Sequence, residues 1–337
     1  MSAIPSSLAA PSRPRRRTRL RPGVTRRAVT AALLGALLVA LVLALPGMSG
    51  VIHAIEHIDP LWIVVAVALE VASAVSFVIV FRLFFDRLRA PDARALAWTS
   101  QASGALLPAG GVGGFAIGGW LTRLTGAPTG WIVRRTSALF FLSSAVSGAA
   151  LIGAGLALVA GAHGPHGFVL TALPALLASA VTLAVLALPA LLRRRAASLS
   201  WTGGVVTGIT DAIQFARRPS WRLLGALGYL GFDIAVLWVV LAAIGQPMSV
   251  PALMLGYSIG YLANALPIPG GIGALDAGLA GALVLYGASP AHAAAAVLVY
   301  HAIALWIPGL GGLYAYARLR PRLVEASSNP TPQGVGG

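Results

Sequence analysis

Few side chains in this 337-residue sequence carry charge, and those set inside long apolar runs are the ones positioned to do chemistry. Glu70 interrupts the run 60–81, Asp233 the run 222–244 and His301 the run 291–316, while Asp276 follows a Pro-Gly interruption. An ionisable group within a bilayer costs about 2.5–3.5 kcal/mol on insertion scales, so each needs a partner or a purpose. Glu70 and Asp233 sit near the middles of their runs at nearly corresponding depths, which suits contact with an amine, a hydroxyl or a proton. The same pair also fits acids kept neutral by burial or satisfied by a neighbouring Arg or hydroxyl. Asp276 is expected in the first turn of the helix after its break, where the positive end of the helix dipole favours a carboxylate. Capping alone would work equally at an exposed helix end, so its depth favours a site.

Arg134 and Arg135 lie at the start of a further apolar run. An Arg fork holds phosphate bidentately, and Arg at a membrane boundary also serves simply as an anchor. His301 can move a proton or touch a headgroup, or be a satisfied core histidine. Asn264 and Gln101 can donate to a substrate or tie helices together. His53, His57, His163 and His166 fall in polar loops, where solvation is the simpler reading, and no metal site is expected. Motifs for acyl transfer, nucleotide binding or metal hydrolysis are absent from the sequence, so neither catalytic residues, nor a cofactor, nor an ATP drive is expected on this chain.

The elements that must position these groups follow from composition. Apolar residues make up 58% of the chain and charged residues 10%. The solvent for most of it is therefore lipid. The net charge of +15 comes entirely from Arg, without Lys, and its placement calls for a membrane explanation rather than nucleic acid. Residues 1–27, with eight Arg among Pro, Ser and Ala, read as a disordered tail, and residues 321–337 as another.

Six runs are long enough to cross a hydrocarbon core of about 30 Å. They are residues 28–46, 60–81, 136–161, 168–192, 222–244 and 291–316. Two more apolar regions, 95–125 and 251–287, are interrupted midway. The first break holds Pro108, Gly110, Gly111, Gly113 and Gly114; the second holds Pro267, Pro269, Gly270, Gly271 and Gly273. Pro removes a backbone donor and Gly leaves the helix readily, so each region reads as a re-entrant hairpin returning to its own face.

Arg distribution orients these elements, because cytoplasmic loops carry the excess of basic residues. With the first tail inside, the loops 47–59, 162–166 and 245–250 fall outside without a single Arg, while Arg82, Arg87, Arg89, Arg94, Arg193 to Arg195, Arg318, Arg320 and Arg322 fall inside. Both termini are expected in the cytoplasm of a bacterial cell, under its inner membrane. Residues 198–219 suggest an interfacial helix, with Trp201, Val205, Ile209 and Ile213 at four-residue spacing.

The expected fold is thus an all-α polytopic membrane protein of six full spans and two broken re-entrant helical hairpins. Residues 60–161 form one repeat and 222–316 a second of inverted topology, within a transmembrane domain of residues 28–320. Secondary transporters use inverted repeats with discontinuous helices to coordinate a charged substrate near the midplane. Gly-rich breaks also serve close helix packing.

The run Pro267-Ile268-Pro269-Gly270-Gly271-Ile272-Gly273-Ala274-Leu275-Asp276, followed by Tyr300-His301, resembles the flippase-like transmembrane domain of the lysylphosphatidylglycerol synthase family. The family pattern there is Pro-x-Pro-Gly-Gly-x-Gly-x-x-Glu, then Tyr-Arg. Leu107 to Gly114, with Trp120-Leu121 and Arg134-Arg135 after it, looks like the family's other glycine-rich motif, and the likeness spans roughly residues 30–320. Asp276 and His301 stand where Glu and Arg are usual, a change expected to alter substrate or pH response. The resemblance implies movement of a polar-headed, anionic or phosphate-bearing lipid across the membrane. It does not imply synthase activity, because no aminoacyl transferase domain is present. Two other functions fit the same sequence: secondary transport of a small polar solute, and a non-transporting partner of a lipid-linked glycosyltransferase.

Overall fold

The computed structural model describes residues 48–328, apart from 57, 107–109, 124–125, 193–199, 219 and 263–271. The tail 1–27, the first expected span 28–46, the Arg193 to Arg195 loop, and Pro108, Asn264, Pro267, Pro269, Gly270 and Gly271 lie outside the described residues. The chain divides into two units, residues 1–49 and 50–337, and all the spans below belong to the second.

Eleven α-helices and no strand occur among the described residues. They are α1 (Met48–Glu56), α2 (Pro60–Phe84), α3 (Ala90–Leu106), α4 (Gly110–Arg123), α5 (Thr129–Val159), α6 (Ala172–Leu192), α7 (Ser200–Arg217), α8 (Leu224–Ala243), α9 (Val250–Leu262), α10 (Ile272–Leu285) and α11 (Pro290–Ser328). A short 3-10 turn, Trp221–Leu223, leads into α8. Only a helix satisfies its own backbone polar groups in lipid, which is why apolar runs of this length fold no other way.

Five helices are long and apolar enough to cross a membrane: Pro60–Phe84, Thr129–Val159, Ala172–Leu191, Trp221–Ala243 and Pro290–Leu319. They correspond to the five expected crossings after residue 47. Most of α6 is uncovered, with Leu177, Val181 and Leu183 all more than half exposed, as suits a helix whose solvent is hydrocarbon.

Four details differ from the sequence reading. Residues 48–56, expected as loop, form the short helix α1. The interruption of the first hairpin is narrower, since α3 runs to Leu106 and α4 starts at Gly110. Gly110, Gly111, Gly113 and Gly114 therefore lie in helix rather than in an unwound break. Span 136–161 starts a full two turns earlier, at Thr129, which brings Arg134 and Arg135 inside the helix. Finally, α11 continues as helix to Ser328, beyond the expected tail boundary at 320.

Contacts fall in matched pairs. The helix α2 packs most extensively against α8. In the first hairpin α3 lies along α11, and in the second α9 lies against α5. Each hairpin also closes on itself, α3 with α4 and α9 with α10. Glycine permits both closures. A Cβ on Gly114 would meet the Ser100 carbonyl oxygen at 2.6 Å, and one on Gly260 would meet the Leu279 Cα at 2.6 Å. Ser100 Oγ donates to the Gly114 carbonyl at 2.9 Å, pinning the first pair of arms.

Near its C-terminal end α2 packs into an extensive buried cluster. Phe77, Phe81, Phe84 and Phe85 are almost fully covered there, with Leu96, Leu139 and Leu142. Phe81 stacks on Phe85 at 4.2 Å, and Phe85 meets Trp131 edge-on at 5.5 Å.

Candidate functional site

The site is assembled by the close approach of α2 and α8. Ser73, Ser76, Gly225 and Gly228 make that seam small: a Cβ on Gly225 would meet the Ser76 carbonyl oxygen, and one on Gly228 the Ser76 hydroxyl, each at 2.6 Å. Ser73 Oγ donates to the Tyr229 carbonyl at 2.9 Å, tying the two helices directly beside the acids. Helices packed through small residues bring their side chains within reach of the partner.

Glu70 of α2 is 4% exposed. Asp233 of α8 lies close enough to act on it electrostatically. Tyrosines surround Asp233. Tyr257 of α9 donates its hydroxyl to Asp233 Oδ2. Tyr300 of α11, 1% exposed, places its hydroxyl 3.1 Å from Asp233 Oδ1 and 3.0 Å from Oδ2. The Tyr261 hydroxyl lies 2.9 Å from that of Tyr300. Tyr257 stacks on Tyr261 at 4.5 Å and meets Tyr300 edge-on at 6.5 Å. Glu70 Oε2, by contrast, is buried without a hydrogen-bond partner. Among the described residues no Arg or His pairs with either acid.

A second acid does have a base. His301 Nδ1 lies 2.7 Å from Asp276 Oδ1, joining α10 to α11 at a partly exposed position. The approach is close without being aligned as a hydrogen bond, since Asp276 Oδ1 makes none. Asp276 is the fifth residue of α10 and faces α11, so it does not cap the helix start. Tyr300 and His301, adjacent on α11, thus serve two different acids. The two departures from the family pattern noted in the sequence meet each other in space, a shorter acid facing a shorter base.

Arg134 and Arg135 belong to a separate cluster. Arg134 forks onto Asp211 of α7 through Nε and Nη2, the latter at 2.6 Å. Arg135 Nη1 lies 3.9 Å from the same carboxylate, its Nη2 3.8 Å from Asp86, and its guanidinium over the Phe215 ring at 5.0 Å. Asp211 is 3% exposed, whereas about half of the Arg134 side chain is open. Three buried donors here lack an acceptor: Arg135 Nε, Trp131 Nε1 and Thr136 Oγ1. Because Asp211 is covered by α5, α7 packs into the protein rather than lying on it by its apolar face alone.

Other singled-out residues take structural places. Gln101 donates from Nε2 to the Ala74 carbonyl at 3.3 Å, bridging α3 and α2. The His163 carbonyl accepts from Ser249 Oγ. Among the described residues no three His, Asp or Glu gather as metal ligands. Sequence reasoning overlooked Tyr257, Tyr261 and Asp211. Only the first two left a signal, four residues apart on one face of a short arm.

These features define a multi-pass α-helical membrane protein with two facing acids at the contact between two of its long apolar helices. A model of the lysylphosphatidylglycerol synthase transmembrane region matches residues 29–312, and the chain belongs to that family. No curated protein matches it.

Proposed function

We propose that the protein moves a polar-headed, phosphate-bearing lipid across the bacterial inner membrane, without performing covalent chemistry and without a cofactor. One observation carries this reading: among the described residues neither the buried Glu70 nor the partly covered Asp233 has a basic partner, and both lie with three tyrosines where α2 meets α8. Such a group is expensive in a membrane interior and is kept where something polar must pass. The spare donors around Arg134 and Arg135 supply the complementary feature, an Arg-rich cluster with unmet capacity for an anionic oxygen. On this reading the headgroup phosphate is taken up beside the arginines, and its hydroxyl or amine passes the acids.

The matched contacts, α3 on α11 and α9 on α5 about the α2–α8 seam, support two repeats of inverted topology, and the Arg distribution supports placing both termini in the cytoplasm. The chain contains no cysteine, so Gly110→Cys and Gly270→Cys each report on one position alone. Membrane-impermeant maleimide reaches the two from opposite sides of the membrane if the hairpins are inverted; labelling from one side rejects that topology.

The function itself is tested with the full chain in vesicles containing phosphatidylglycerol that is fluorescent at its headgroup. Dithionite quenches the outer leaflet, and a translocating protein exposes the inner pool as well. Quenching that stops at the outer leaflet, as in protein-free vesicles, rejects the proposal.

A further inference from the structure

We infer that Glu70 is a proton-binding site paired with Asp233, and that reversible protonation there couples lipid movement to the proton gradient. The inference deepens the translocation reading by naming an energy source, and rests on it only for the coupling step.

The geometry separates the two acids. Asp233 receives hydroxyl hydrogens from Tyr257 and Tyr300, which stabilise a carboxylate. Glu70 Oε2 receives none. Two negative charges interacting where one is buried, with no cation paired to either among the described residues, repel strongly. A single proton relieves that repulsion, and the oxygen without a donor is the one free to hold it. The step is simple addition: Glu70 carboxylate plus one proton from water gives the carboxylic acid, and release to the other face restores the carboxylate.

The titratable groups facing Glu70 are Asp233 and Tyr229 of α8 and Tyr300 of α11, with Tyr257 and Tyr261 of α9 behind Asp233. Gln101 of α3, the neighbour one turn along α2, does not titrate. Tyr261 and Tyr300 form a string of two hydroxyls ending at Asp233, and Tyr257 bonds Asp233 separately, so hydrogen-bonded routes lead a proton to the pair from α9 and α11. Paired acids titrate as a unit, so replacing one changes how the other binds its proton.

Two measurements on the purified full chain in nanodiscs and in vesicles test this. Infrared spectroscopy follows the carbonyl band of a protonated carboxyl as pH is raised. The wild type is expected to show a band that disappears on titration, E70Q to lack it, and D233N to lose it at lower pH than the wild type. D276N retains it. No titrating band in the wild type, or a band that persists in folded E70Q, overturns the inference. If E70Q does not fold, D233N decides: an unshifted titration overturns the pairing.

The vesicle assay then adds an imposed pH gradient. Headgroup exposure in the wild type is expected to accelerate with the gradient. Translocation indifferent to the gradient removes the coupling while leaving lipid movement intact. A titrating band without any lipid movement removes the translocation reading while leaving the proton site.

Discussion

Two charged regions of the molecule are built on opposite terms. Around α5 and α7, Arg134 and Arg135 meet Asp211 and Asp86, and the donors left over outnumber the acceptors. Between α2 and α8, Asp233 receives tyrosine hydroxyls, and the acceptor Glu70 Oε2 is left over. The first is a set of opposite charges that stabilise one another and hold two helices together. The second has no opposite charge and is held in place by tyrosine hydroxyls on Asp233 and by the packing around it. Buried polar groups that weaken the fold and are nonetheless retained are the ones to associate with function.

Substitutions break this comparison in an ordered way. Asp211→Ala leaves two guanidinium groups without their common partner. Losing half of a buried pair costs about 3–5 kcal/mol, and the half-open Arg134 places this one at the lower end, about 3 kcal/mol. Thermal unfolding in detergent measures it.

Gly225→Ala drives a methyl toward the Ser76 carbonyl and forces α2 away from α8. Overpacking of this kind costs about 1–3 kcal/mol. Its effect is expected on both readouts, stability and translocation, because the seam that it opens is the one that brings Glu70 to Asp233.

Asp59→Ala sharpens the contrast from outside both regions. Asp59 caps α2 by accepting from the Leu61 N–H at 2.8 Å at an exposed position. The loss is about 1 kcal/mol, with translocation per folded molecule unchanged. A drop in translocation larger than the loss of folded protein would show that activity depends on a residue outside both regions.

The sequence disclosed the frame better than the site. Five spans were legible because an apolar run of this length has one solution in lipid. The short helices α3, α4, α9 and α10 were legible because each apolar run is punctuated by Pro and Gly. The extent of the first break was misjudged, since glycine was weighed by its behaviour in water. In a bilayer an unwound turn leaves backbone groups without partners, and Gly110 to Gly114 remain helical.

Glu70, Asp233, Asp276 and His301 stood out as ionisable groups in apolar runs. Their partners did not, because partnership depends on which face of each helix meets which neighbour. Arg134 and Asp211 are 77 residues apart and gave no pattern linking them. Asp211 was read as part of an interfacial helix, when its side chain is buried against α5. Tyr257 and Tyr261 share a face of α9, yet only the packing of α9 and α11 about α8 turns that face toward Asp233.

The most direct test of the account is Glu70→Gln, assayed for folding and for lipid translocation in the same preparation. Replacing an unpaired buried acid by its neutral isostere removes a desolvation cost and no hydrogen bond to Oε2, so the protein is expected to stay folded. Translocation is expected to fall to the level of protein-free vesicles. A folded Glu70→Gln protein that still exposes the inner-leaflet lipid at the wild-type rate would contradict the claim that the unpaired acids are the working centre.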